Sequence, residues 1–115
     1  MKSYERNGVF VVRPGAYVDV AFKKAGVPLA TARIEGGTRT VLFNLEDAEL
    51  INSYGIAALL VVFDELTRLG GTLAFCGLKA LMVRNALQIS GLAAFCADHV
   101  YDTEAEALAA LGKDA

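Results

Sequence analysis

The apolar positions fall in short blocks set apart by glycine-rich or acidic breaks, and the period within each block changes along the chain. Val9 to Val12 is a β-branched and aromatic run closed by the turn dipeptide Pro14-Gly15, and Ala16 to Asp19 follows as a second extended piece. Two opening strands with a tight connection are predicted. Val20 to Glu35 has helix-like composition, but it contains Gly26 and Pro28, and an interior proline costs a helix about 3 kcal/mol. The prediction is a broken helix, or a loop and then a short helix from Pro28. Gly36-Gly37 ends it. Thr38 to Leu45 then reads as a strand, apolar without interruption from Val41 to Phe43, as expected of a central strand covered on both faces.

Past an acidic loop, Glu46 to Glu49, the chain runs through Leu50 and Ile51 to Asn52-Ser53-Tyr54-Gly55 and into a long helical pattern. Ile56, Leu59, Leu60, Phe63 and Leu66 recur at three- and four-residue steps, which places them on one face with Asp64, Glu65 and Arg68 largely off it. Gly70-Gly71 is the stop signal. Thr72 to Leu78 gives another apolar strand, Lys79 to Ile89 a helix ended by Ser90-Gly91, and His99 to Asp102 a last short strand. Thr103-Glu104-Ala105-Glu106 is a capping-box pattern opening a terminal helix, Ala105 to Leu111. Strands alternating with helices call for right-handed crossovers. The fold class is therefore α/β: a small sandwich with a mostly parallel central sheet of about four to five strands, covered by about four helices.

At 115 residues the chain has room for one domain, expected over 1–115, and its apolar content of 55% excludes disorder. The net charge of −2 is too weak and too evenly mixed to attract a phosphate backbone, so no nucleic-acid partner is expected. The longest uninterrupted apolar run, Ile56 to Phe63, is far short of the roughly 20 residues of a membrane-crossing helix. No membrane insertion is expected. Met1 to Asn7 lacks the apolar stretch of a secretory signal, which makes a cytoplasmic location the expectation. Cys76 and Cys96 stand in apolar settings and read as buried, unreactive thiols.

Chemistry is sparse. His99, the only histidine, has no partner that marks it as a base, and it reads as a strand-end residue. The glycine pairs at 36–37 and 70–71 make no nucleotide cradle, and Lys79 completes no P-loop. Glu46, Asp47 and Glu49 crowd one loop, where like charges are better solvated than catalytic. No enzyme activity, cofactor or metal is expected. What remains is Ser53, at the N-cap or first position of the long helix, where its hydroxyl can accept a backbone amide. The same place sets a hydroxyl beside unpaired amides at the positive end of a helix, which tolerates a phosphate. Gly55 would let another chain approach closely, or serve packing against the sheet. Ala57, Leu60 and Val61 leave room for a docking face or self-association.

From about residue 9 to residue 111 the order of elements resembles the STAS domain, the fold of bacterial anti-sigma factor antagonists. The resemblance is carried by Val41-Leu42-Phe43-Asn44-Leu45, by Asn52-Ser53-Tyr54-Gly55-Ile56, by Gly70-Gly71, by Ser90-Gly91-Leu92 and by Glu104 to Leu111. The family's pattern at the second of these is Asp-Ser-Ser/Thr-Gly-Leu; Asn52 here replaces the Asp, and Tyr54 a small hydroxyl residue. The resemblance implies a partner switch in transcription regulation. Ser53 is then the residue phosphorylated by an anti-sigma factor serine kinase and dephosphorylated by a serine phosphatase, and Asn52, Ser53, Tyr54, Gly55 and Ile56 form the partner-binding turn. Two other roles follow from the same resemblance without phosphorylation: accessory subunit of a lipid-transport ABC complex, or scaffold domain of a stressosome-type assembly.

Overall fold

The computed structural model describes residues 1–112, so the last three residues of the expected domain, 113–115, lie outside it. Strands β1 (Lys2–Arg6) and β2 (Val9–Arg13) form an antiparallel hairpin. Asn7 and Gly8 join them with positive φ of 53° and 78°, the backbone that a tight two-residue hairpin turn demands and that Asn-Gly supplies cheaply. β1 was not expected, because Tyr4 is the one apolar residue in a run of Lys, Ser, Glu and Arg. The hairpin signal was Asn7-Gly8 itself. β4 (Thr40–Asn44) runs parallel to β2, β6 (Thr72–Cys76) parallel to β4, and β7 (Val100–Tyr101) parallel to β6. The resulting order, β1-β2-β4-β6-β7, puts β4 at the centre as expected. A second, two-stranded parallel sheet pairs β3 (Tyr17–Val18) with β5 (Leu50–Ile51).

Among the described residues five α-helices connect and cover these strands: α1 (Val20–Glu35), α2 (Ser53–Arg68), α3 (Leu81–Ile89), α4 (Leu92–Phe95) and α5 (Glu104–Leu111), with a 3-10 turn at Ala97–His99. The expected break in the first helix is absent: α1 runs unbroken through Gly26 and Pro28. Pro28 and Lys24, whose carbonyl loses its usual amide partner, both lie on the exposed side of α1. Gly26 is buried, and a Cβ there would lie 2.5 Å from the Phe22 ring, which needs that space to meet Phe43 edge-on at 6.0 Å. Asp19, read as the end of a strand, is instead the cap of α1, accepting from the amides of Ala21 and Phe22 at 3.1 and 3.4 Å. His99 falls in the 3-10 turn rather than in the last strand.

The continuous apolar runs of β2, β4 and β6 follow from two covered faces. Phe10, Val12, Val41, Phe43, Leu73 and Phe75 point to the side packed by Ile34 of α1, by Leu59 and Leu66 of α2, and by Val83 and Leu87 of α3. Val9, Val11, Leu42, Ala74 and Cys76 point to the other side, beneath Ala107, Leu108 and Leu111 of α5. Each fully buried Val, Leu or Phe contributes roughly 1.5–3 kcal/mol. On α2 the inward face is Gly55, Ala58, Leu59, Val62 and Leu66. Ile56, Leu60 and Phe63 sit at its margins, half-buried. Cys76 and Cys96 are buried free thiols, pushed up to about 12 and about 11 by burial, so both stay protonated and unreactive at neutral pH.

Candidate functional site

The turn from β5 into α2 is built by the small sheet. Pairing of Tyr17 with Leu50 and Val18 with Ile51 carries the two chains side by side to the starts of α1 and α2. The Asn52 amide donates to the Val18 carbonyl at 3.2 Å, and each helix then begins with its own capping side chain, Asp19 and Asn52. Gly55 is the wedge point. A Cβ at that position would stand 2.0 Å from the Val18 carbonyl oxygen, closer than any side chain could be held. Gly55 is buried, and the close approach it permits here is that of the protein's own β3.

Asn52 is the N-cap of α2, its Oδ1 accepting from the Gly55 amide at 3.1 Å, and Ser53 is the first helical residue. This settles which residue does the capping. Ser53 is exposed and its hydroxyl stands outside the cap. The first amides of a helix have no partner within it, and Asn52 satisfies only the third. The amides of Ser53 and Tyr54 therefore remain beside the hydroxyl, and the first turn holds no acidic residue. A negative group attached to Ser53 would meet the positive end of a sixteen-residue helix with no carboxylate on that turn to repel it. Tyr54, next to the serine in the chain, is 54% exposed, and Tyr17 of the neighbouring strand 58%. Ile56 is half-buried against the core. Asn52, Ser53 and Tyr54 thus form the outward part of the turn, and Gly55 and Ile56 hold it in place.

In the acidic loop Asp47 and Glu49 are exposed, as expected, but two of the three carboxylates have basic partners. Arg13, at the end of β2, donates to Glu46 at 2.6 Å and to Asp47 at 2.8 Å, and Lys79 approaches Glu46 at 3.5 Å. Asp47 foremost raises the Arg13 pKa, so the guanidinium keeps its charge. Nearby, the buried Asn44 donates to Glu104 at 3.0 Å while its Oδ1 accepts the Glu46 amide at 3.0 Å. The Tyr4 hydroxyl donates to the same Glu104 carboxylate at 2.7 Å, and burial, then Glu104, raise its pKa. These groups lock α5, the hairpin and the β4 loop to one another. Among the described residues no group of three His, Cys, Asp or Glu is placed to hold a metal ion.

A family model described as the STAS domain matches residues 1–107. Among solved structures, a candidate anti-sigma factor antagonist from Thermotoga maritima superimposes with a TM-score of 0.84 at 17% identity, covering 96% of this chain and 92% of that one. The Bacillus cell fate determinant SpoIIAA in its phosphorylated form gives 0.77 at 21% identity, covering 96% and 97%. A sulfate transporter family protein from Wolinella succinogenes gives 0.78 at 18%, covering 90% and 84%. No curated protein sequence matches. At such identities the likeness is one of fold.

Proposed function

The chain belongs to the STAS domain family, and from that footing we propose that it is a phosphorylation-regulated binding module: an anti-sigma factor antagonist in a partner-switching pathway, with Ser53 as phospho-acceptor. The whole chain, 1–115, acts as one such unit, in the cytoplasm, and binds rather than catalyses. The observation that carries the reading is the exposed Ser53 hydroxyl at the first position of α2, freed from capping by Asn52. A solved relative of the same fold exists in phosphorylated and unphosphorylated forms. Among the described residues no helix is long and apolar enough to cross a membrane.

The partners in this reading are an anti-sigma factor serine kinase, which docks on the unmodified turn and phosphorylates it, and a serine phosphatase that resets it. A phosphate adds about −1.5 to −2 charge and three strong acceptors. On Ser53 it finds free amides within the module, so the fold survives. In a docked interface the same charge must be desolvated next to a partner fitted to a neutral hydroxyl. A loss of about 3 kcal/mol there corresponds to more than 100-fold in affinity. Asn52 and Tyr54 are the residues that such a partner meets beside the serine.

Incubation with a cognate serine kinase and ATP, followed by intact-mass and peptide analysis, tests this. One phosphate on Ser53 is expected. A mass unchanged by every serine kinase of the source cell would instead favour unphosphorylated docking, as accessory subunit of a lipid-transport ABC complex or as scaffold domain. The transporter-family neighbours share the fold that such roles would use.

A further inference from the structure

The chain leaving β2, β4 and β6 goes on to α1, α2 and α3, and all three helices lie on one side of the sheet, where Ile34, Leu59 and Val83 share a core. Among the described residues β7 alone leads the other way, into α5, whose Ala107 packs on the opposite side. β6 and β7 are parallel neighbours, with Phe75 opposite Val100 and Cys76 opposite Tyr101. Where adjacent parallel strands send their connections to opposite faces, the connections part and leave a crevice at the carboxyl ends of the strands. Open α/β sheets bind ligands at such a point. A cleft of about 460 Å³ lies there, formed by residues that follow β6 and by β7 with the two residues after it. Small-molecule sites measure roughly 300–1,000 Å³.

The two walls differ in chemistry. The first, from Gly77 to Arg84, is cationic. Arg84 is exposed and, among the described residues, makes no ion pair. Lys79 lies 3.5 Å from Glu46 but keeps 72% of its side chain exposed, and the first turn of α3 holds no acidic residue. The second wall, from Val100 to Thr103, carries the exposed Asp102. Beside it the Thr103 hydroxyl accepts the Glu106 amide at 3.1 Å and keeps its own proton for another partner. Cations on one wall, with a carboxylate and a hydroxyl on the other, fit a ligand that is anionic at one end and bears hydroxyl groups at the other. Two cations suit the double charge of a phosphate monoester better than a single carboxylate.

We propose that the cleft between the ends of β6 and β7 binds a phosphate monoester of a hydroxylated sugar. Arg84 and Lys79 take the phosphate, and Asp102 and Thr103 take the sugar hydroxyls. Sugar phosphates and nucleoside monophosphates share this chemistry. Binding here does not depend on Ser53 and stands apart from the phosphorylation reading.

Isothermal titration calorimetry of the full chain with ribose 5-phosphate, adenosine monophosphate, inorganic phosphate and ribose is the test. Ribose 5-phosphate is expected to bind with a dissociation constant of about 0.1 mM, inorganic phosphate about tenfold more weakly, and ribose not measurably. Arg84→Gln weakens ribose 5-phosphate about tenfold or more with an unchanged circular dichroism spectrum. Asp102→Ala also weakens ribose 5-phosphate but does not weaken inorganic phosphate, a split that general attraction to surface cations would not produce. Adenosine monophosphate binding more tightly than ribose 5-phosphate supports the site and assigns it to nucleotides; binding more weakly supports it and assigns it to sugar phosphates. No binding of either ester, an affinity indifferent to both variants, or inorganic phosphate held as tightly as the esters overturns the proposal.

Discussion

The turn at Ser53 and the carboxyl edge beneath α5 are both rich in polar groups, but they are finished differently. At the carboxyl edge Asn44, Tyr4, Glu104, Arg13, Glu46 and Asp47 satisfy one another, and Asn44 can be buried because both ends of its amide are bonded. At the turn Asn52 satisfies one amide, Gly55 fixes the backbone, and the hydroxyl between them is left to solvent. Mutually saturated polar groups hold a structure together. A group held in place but left unsaturated can be modified without breaking anything, which is what a covalent switch needs.

Substitutions sharpen this contrast. Gly55→Ala is expected to have the largest effect, about 3 kcal/mol or more by chemical denaturation, because the Val18 carbonyl that its Cβ meets at 2.0 Å is backbone within a paired strand and cannot swing aside. Asn44→Ala should cost about 2 kcal/mol, since it strips Glu104 and the Glu46 amide of partners in a part-buried place. Asn52→Ala removes the cap of α2 and should cost about 1 kcal/mol. Ser53→Ala should change stability by no more than about 0.5 kcal/mol. If it cost as much as Asn52→Ala, the hydroxyl would be part of the cap after all, and the contrast between the two regions would fail. Ser53→Asp should keep the melting temperature within a few degrees while weakening partner binding.

Much of this was readable in the order of residues. The central strand announced itself through Val41-Leu42-Phe43, and Gly70-Gly71 and Ser90-Gly91 stopped helices where expected. The serine turn was found at its place, and only the division of labour between Asn52 and Ser53 needed coordinates. What escaped notice depended on tertiary context. Lys2 to Arg6 has strand geometry because β2 pairs with it, not through any apolar pattern. α1 survives Pro28 because that side faces water while Phe22, Ala30 and Ile34 anchor the other. The use of Gly55 in the fold is seen only from the position of Val18. The exposure of Leu81, Met82 and Ile89 on α3 was hidden for the opposite reason: a period of apolar residues does not tell which of them the core will claim.

The most direct measurement is a paired pull-down from the source cell, using the protein with unmodified Ser53 and the protein carrying phosphoserine at that position, both checked for equal melting temperature. The expected result is a serine kinase retained by the unmodified form and lost, by about a hundredfold or more in a follow-up titration, from the phosphorylated one. Equal retention of the same partners by two equally folded forms would contradict the assignment of Ser53 as the switch.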